Sequence, residues 1–195
     1  MLLTEFDANR QAIINPEALH EPLEGFPKIA VSCFSRLTFQ RMLEMFPHEL
    51  IYEISMANVA IPIYKLVIDD NELAIFNAPV GASACVGILE DIFALGADKL
   101  VLFGTCGVLD EDIKETSIII PSHALRDEGT SFHYVEASDE IAVNVGVLDH
   151  FRSYLNERQI SHKEGKVWTT DGIYRETNGK LKARKAAGAI CVDME

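Results

Sequence analysis

This sequence is short of cysteine, of basic charge and of long apolar runs. Its four cysteines, Cys33, Cys85, Cys106 and Cys191, are scattered over 195 residues. No two form a C-x-x-C, so neither a disulfide framework nor a zinc site is expected. A reducing cytoplasm suits such a chain. Lys and Arg number 17 against 30 Asp and Glu, giving a net charge of −13. That imbalance argues against nonspecific binding to nucleic acid or to an anionic membrane. Its plain consequence is solubility, and it leaves room for one local anion site, which needs only an Arg and a few N–H groups. No apolar run approaches the length of a membrane span. MLLTEFDANRQ carries acid where a signal peptide has base, so no such leader is expected. There is no internal repeat and no low-complexity segment.

What is present is enough apolar sequence, 48%, for a sizeable core. The length suggests one domain over 28–195, preceded by an arm over 1–27. The arm carries Pro16, Pro22 and Pro27 and little periodicity. It reads as extended or loosely ordered, suited to a subunit contact. The organising stretch is Lys99 to Gly107, KLVLFGTCG. Leu100 to Phe103 form a continuous apolar run, as expected of a strand covered on both faces. Gly104 and Gly107 then bracket Thr105 and Cys106. Glycine admits positive φ and close approach of a ligand, and ligands of open α/β sheets sit at the carboxyl ends of strands. Taken alone, Gly-Thr-Cys-Gly fits an ordinary sheet turn as well as an anion-binding one.

Around that stretch the pattern alternates between strands and helices. KIAVSC (28–33) reads as a first buried strand. Ser35 is placed to cap a helix from Arg36 to about Phe46, with Leu37, Met42, Leu43 and Phe46 on its apolar side and Pro47 ending it. Arg36 in the first turn opposes the helix dipole unless an anion binds there; a solvated Arg is the other reading. Strands follow at 51–56, 60–68 and 72–77, the last two joined by a turn at Asp69-Asp70-Asn71. Ser83 is placed to cap a helix to about Leu95, with Cys85, Ile88, Leu89, Ile92 and Phe93 inward and Gly96 as the stop. Strand, helix and strand then form a βαβ unit with parallel strands.

Past Gly107 the pattern gives a polar loop at 110–116 and a strand at 117–121. Arg126, Asp127, Glu128 and His133 lie in a hydrogen-bonding segment, 123–134, able to form a network among themselves. A helix at 147–158 with Leu148, Phe151 and Leu155 inward, a strand at 163–170 and a basic, solvated helix at 180–187 complete the pattern. The last stretch, AGAICVDME, is a buried strand that lacks the following helix a doubly wound sheet needs. The sequence therefore reads as incomplete at its C-terminal side.

The organising stretch, VLDEDIKETSIIIP, LRDEGTSFHY, WTTDGIYRE and AGAICVDME together resemble the nucleoside phosphorylase family of uridine phosphorylase and the hexameric purine nucleoside phosphorylases. The likeness spans 28–195. It implies an α/β fold, a mixed twisted β-sheet flanked by helices. It also implies a dimer-based homo-oligomer, commonly a hexamer, and phosphorolysis of a ribonucleoside in the cytoplasm. Inorganic phosphate is the co-substrate, with no metal or organic cofactor. By that resemblance Met194 and Glu195 hold the ribose, with Glu195 the catalytic carboxylate accepting from the sugar hydroxyls. Thr105 contacts sugar and phosphate, Gly104 and Arg36 contact phosphate, and Cys106, Gly107, Ile173 and Tyr174 face the base.

The sequence departs from the family at the phosphate. Ser32-Cys33-Phe34-Ser35 replaces the family's P-G-D-P, and Leu102 stands where phosphorolytic members carry Arg. Met56-Ala57-Asn58 aligns with the arginine that a neighbouring subunit supplies. Of three expected cations one remains, with Arg126 and Arg175 as candidate substitutes. A nucleosidase using water, or a nucleoside-binding protein without turnover, are the alternatives. His123 and His133 are candidate general acids by residue type only.

Overall fold

The computed structural model describes residues 2–114 and 117–195. Glu115 and Thr116, the end of the polar loop expected at 110–116, lie outside the described residues, as does Met1 of the arm. The contacts gather into two units. One is Asn9–Thr105; the other is Cys106–Glu195 with the N-terminal residues as far as Ala8. Each has its own five-stranded sheet. Both sheets are mixed and carry helices, in keeping with the α/β class expected.

In the Asn9–Thr105 unit the strands are β1 (Ile29–Cys33), β2 (His48–Ser55), β3 (Ala60–Ile68), β4 (Asn71–Phe76) and β5 (Lys99–Phe103), in the order β2-β3-β4-β1-β5. β2, β3 and β4 form an antiparallel meander, while β1 pairs in parallel with both β4 and β5. Asp69 and Asp70 turn the chain between β3 and β4 with φ of 48° and 62°, the paired left-handed geometry that a two-residue hairpin turn needs. α1 (Arg36–Met45) starts where expected, the Ser35 hydroxyl accepting the Thr38 N–H at 3.2 Å. Its inward residue is Phe39, and Leu37 is exposed. Phe39 shares the i, i+3, i+4, i+7 stripe with Met42, Leu43 and Phe46, which Leu37 does not.

α2 (Ala82–Leu95) is capped by Gly81 at φ 108° with no side-chain cap, so Ser83 lies inside the first turn rather than capping it. Cys85, Ile88, Ile92 and Leu95 are buried, whereas Phe93 points outward. Gly96, at φ 127°, ends the helix as expected. β5 corrects a further expectation. It lies at the sheet edge with β1 as its single neighbour, and Leu102 and Phe103 are 37% and 41% exposed rather than covered on both faces. The arm is also less loose than expected. The Leu23 N–H donates to the Leu95 carbonyl at 3.0 Å, and Phe26 is buried in the core. His20 meets Asp91 on α2 at 3.1 Å through Nε2 and the Tyr52 hydroxyl on β2 at 3.1 Å through Nδ1.

In the other unit the strands are β6 (Gly107–Val108), β7 (Ile118–Asp127), β8 (Glu140–Ala142), β9 (His162–Thr170) and β10 (Ala189–Asp193), in the order β6-β10-β9-β7-β8. β10, β9 and β7 are parallel, with β6 and β8 antiparallel at the two edges. β7 continues past its expected end at 121 as far as Asp127, because HALRD pairs with Lys166–Thr170 after a register shift between Pro121 and His123. Such a bulge accommodates a proline that has no N–H for the ladder. α3 (Val145–Glu157) is capped by Asn144, whose side chain accepts the Val147 N–H at 3.2 Å, so it begins two residues early. Leu148 and Leu155 face the core, and Phe151 is partly exposed. α4 (Asn178–Ala186) is not simply a solvated basic face. Lys180 Nζ lies 2.9 Å and Arg184 Nη2 3.4 Å from the Asp127 carboxylate.

Gly165 on β9 sits under Ile190. A methyl added there would lie 2.5 Å from Ile190 Cδ1 and 2.8 Å from Cγ1. Because a β-branched side chain on a strand has little freedom to turn away, Gly165→Ala is expected to destabilise by about 1–3 kcal/mol. The check is a lower urea midpoint with an unchanged m-value; an unaltered midpoint means that Ile190 moves freely.

Candidate active site

The parallel strands of the C-terminal unit all finish at one sheet edge. Asp193 of β10 stands opposite Thr169 of β9, and Thr170 of β9 opposite Asp127 of β7. β6 runs the other way, Gly107 facing Val192, so it begins at that same edge. Cys106 and Gly107, Asp193 to Glu195, and the short 3₁₀ turn Ile173–Arg175 that follows β9 are thereby gathered at the carboxyl end of the sheet. This is where open α/β sheets bind ligands. Gly107 is not among the residues with positive φ. What requires glycine is proximity: a Cβ would stand 2.9 Å from Val192 Cγ1.

Met194 and Glu195 are half-buried, and the Met194 N–H donates to Glu195 Oε2 at 3.1 Å. Beside them Asp193 accepts the Thr169 hydroxyl at 2.8 Å. Burial, with the charge of Glu195 adding to it, pushes the Asp193 carboxyl up to about 6 against the opposing hydrogen bonds from Thr169 and the Glu195 backbone. Between roughly pH 4 and 6 the folded chain holds a proton that the unfolded chain releases. Ionising this carboxyl therefore lowers stability as the pH rises through that interval. Cys106 and Cys191 interact at the same edge, and burial raises both thiols, Cys191 the more strongly. Ile173 is 55% and Tyr174 94% exposed.

The end of β7 and the segment after it form a network, but a different one from that expected. The Arg126 Nε donates to Ser131 Oγ at 2.8 Å, and Nη1 donates to the Glu136 carbonyl at 2.8 Å and Ser138 Oγ at 2.9 Å. Its guanidinium also lies over the Phe132 ring. Glu128 accepts from the Ser131 N–H and hydroxyl. Asp127 belongs instead with Trp168, Lys180 and Arg184, and His133 is exposed in the turn. Buried Arg126 thus holds its own loop, leaving Arg175, exposed after β9, as the other substitute cation.

In the Asn9–Thr105 unit, β1 and β5 also end together. Cys33 pairs with Phe103, and the Phe34 N–H donates to the Phe103 carbonyl at 3.2 Å. Gly104 is another glycine of proximity, since a Cβ would come within 2.9 Å of Phe34 Cδ2. Arg36, Gly104 and Thr105 stand exposed at this edge. Among the described residues Arg36 takes part in none of the ion pairs. Leu102, where the resemblance leads one to expect an arginine, is on the edge strand.

Each unit therefore assembles its own share of the candidate residues: Arg36, Gly104 and Thr105 in one, Cys106, Gly107, Met194, Glu195, Ile173 and Tyr174 in the other. Sequence reasoning missed Asp193 and Thr169, and it named Asp127 without its partners Trp168, Lys180 and Arg184. The available signal was a polar residue at or near the last position of each of three strands. Among the described residues no cluster of His, Cys, Asp and Glu is set to hold a metal ion, and no helix is long and apolar enough to cross a membrane.

Residues 28–195 match the sequence profile of the Phosphorylase superfamily. A guanosine phosphorylase of Halorubrum lacusprofundi is 22% identical over 135 residues, 68% of this chain and 56% of that protein. A DeoD-type purine nucleoside phosphorylase of Brevibacillus brevis is 29% identical over 101 residues, 51% of this chain and 43% of its own length. The chain spans about half the length of these curated relatives. Among solved structures, uridine phosphorylase from Vibrio fischeri superposes with a TM-score of 0.78 at 19% identity, over 95% of this chain and 77% of the other. The purine nucleoside phosphorylase of Toxoplasma gondii gives 0.74 at 17% identity, over 87% and 68%. At such identities the superpositions speak for the fold.

Proposed function

The chain belongs to the Phosphorylase superfamily, and on that premise we propose that it is a nucleoside phosphorylase, cleaving a ribonucleoside with inorganic phosphate to free base and ribose 1-phosphate. The observation that carries this reading is the gathering of Cys106, Gly107, Met194 and Glu195 at the carboxyl edge of the β10–β9–β7 sheet. Cleaving the N-glycosidic bond builds positive charge on the sugar ring. Glu195, accepting from the 2′ and 3′ hydroxyls, orients the ring and places negative charge beside it, while Met194 packs against the sugar. Thr105, the N–H groups around Gly104 and Arg36, which joins none of the ion pairs among the described residues, are assigned to the phosphate, which must be oriented for attack on the anomeric carbon. Cys106, Gly107, Ile173 and Tyr174 line the base. The reaction is written without metal or organic cofactor, in a cytoplasmic homo-oligomer that serves nucleoside salvage.

A second reading, hydrolysis by water, is favoured by Leu102 and by the occupation of every Arg126 nitrogen within its own loop. The two separate in one assay: the full chain is incubated with guanosine, inosine, adenosine or uridine, with and without phosphate. Phosphorolysis predicts base release that requires phosphate and yields ribose 1-phosphate. Release indifferent to phosphate selects the hydrolytic reading, and calorimetric binding of nucleoside without release selects a binding protein.

A further inference from the structure

We propose that Asp193 is a positioning residue for Glu195, fixing the end of β10 through the Thr169 hydroxyl and adding a second negative charge beside the sugar. This rests on the phosphorolytic reading above. Three observations converge on it. Asp193 is the last residue of β10 and pairs in register with Thr169, whose hydroxyl it accepts at 2.8 Å. The Glu195 backbone also hydrogen-bonds the Asp193 carboxyl, which ties the two residues across Met194. Glu195 in turn accepts the Met194 N–H. The last three residues are therefore linked to one another and, through Thr169, to the neighbouring strand.

The charges around Asp193 can be taken element by element. From β9 comes the neutral hydroxyl of Thr169. At the start of β6 and on β10 stand the thiols of Cys106 and Cys191, each kept protonated by burial. Beyond the strand comes the Glu195 carboxylate. None of the ion pairs among the described residues involves Asp193. Two uncompensated carboxylates in one partly buried place are costly to the resting fold. They are well suited to a cation that develops on the sugar in the transition state, because a charge already fixed in place needs no reorganisation. A proton taken up by Asp193 removes that charge and leaves the Thr169 hydroxyl with a neutral, weaker acceptor. With burial pushing this carboxyl up to about 6, the change falls within reach of ordinary assay conditions. No role for Asp193 in touching substrate is needed; it acts by fixing Glu195 and by the field of its charge.

The experiment is the pH profile of kcat/KM for phosphate-dependent base release by the full chain and three variants. In the parent protein kcat/KM is expected to fall on the acid side with a midpoint near 6. Thr169→Val removes a hydrogen bond to the ionised form and should move that midpoint upward by about half a unit or more. Thr169→Ser, which keeps the hydroxyl, should restore it. Asp193→Asn should abolish the acid limb near 6 and lower kcat/KM at neutral pH by about tenfold, mostly in kcat, because the missing charge matters to the transition state. Should the asparagine variant not fold, the threonine pair decides alone. An acid limb that stays in place in Thr169→Val, with base release intact, overturns the inference and leaves the phosphorylase reading standing. Absence of phosphate-dependent release from the parent protein with every nucleoside at every pH overturns both.

Discussion

Glu195→Gln is expected to lower kcat/KM for phosphate-dependent base release by about 100-fold. A carboxylate can accept from two sugar hydroxyls at once, one on each oxygen. The amide of Gln has one oxygen and an NH2 that only donates, so one hydroxyl loses its acceptor and meets a competing donor. Losing one hydrogen bond to a charged group is worth about 1–3 kcal/mol. The remainder comes from the charge itself, which interacts more strongly with the oxocarbenium-like transition state than with the neutral ground-state sugar. Hence the loss should divide between KM and kcat, with kcat carrying part of it. Steady-state kinetics with inosine or guanosine at saturating phosphate reads that division. An effect confined to KM reduces Glu195 to a binding group, and unchanged kinetics removes it from the site. Because the side chain is only half-buried and contacts the Met194 N–H, the variant should keep the parent's unfolding midpoint.

Trp168→Ala should bring the largest loss of stability. The indole is fully buried, the one tryptophan in the chain, packed among Leu125, Ala189, Val192 and Leu109. Truncating a buried large aromatic costs about 3–5 kcal/mol. The cost here goes beyond packing, since Trp168 Nε1 donates to Asp127 Oδ2 at 2.9 Å. Burial alone raises the Asp127 carboxyl. Hydrogen bonds from Lys180 and Trp168, with the charge of Arg184, outweigh that and hold it below the ordinary range. A carboxylate depressed in this way contributes stability above its unfolded pKa and loses it as the pH falls through the folded one. Trp168→Phe, which keeps most of the volume but has no N–H, separates the two effects. Its loss of stability should be smaller than that of the alanine variant at neutral pH and should shrink in acid, where Asp127 is protonated. Urea unfolding followed by circular dichroism at two pH values reads both. A phenylalanine variant with the same stability as the parent at neutral pH means that the indole hydrogen bond contributes nothing net. Set against a total folding stability of about 5–15 kcal/mol, the alanine variant is expected to be largely unfolded at mild denaturant.

How far the sequence could be read depended on how local the signal was. Asp69-Asp70-Asn71 was legible as a hairpin turn because turn chemistry resides in the turn residues themselves. Ser35 was legible as a cap because the hydroxyl and the N–H it accepts are three residues apart. Ser83 misled because Ser is a good cap wherever it stands, whereas the observed start of α2 follows from the left-handed backbone of Gly81 just before it. β5 misled because four apolar residues look alike in a central strand and at an edge. Neighbours decide that, and β5 has only β1. For the glycines of GTCG the positive-φ reading does not hold: neither has positive φ, and each lies close under a side chain from another strand or loop, Phe34 or Val192.

Beside the candidacy of Thr105, Met194 and Glu195, which came from the family resemblance, the order of most strands and helices, the positions of most turns and the acidic charge balance were contained in the linear sequence. They follow from periodicity, capping chemistry and short motifs that act over a few residues. Tertiary structure alone decided the division of the strands into two sheets, the extension of β7 to Asp127 and the pairing of Asp127 with Trp168 and Lys180. It alone placed Thr169 against Asp193. These contacts join residues 24 to 53 positions apart, and no local preference encodes them. They exist because parallel strands finish at a common edge, where buried polar groups must find partners in one another.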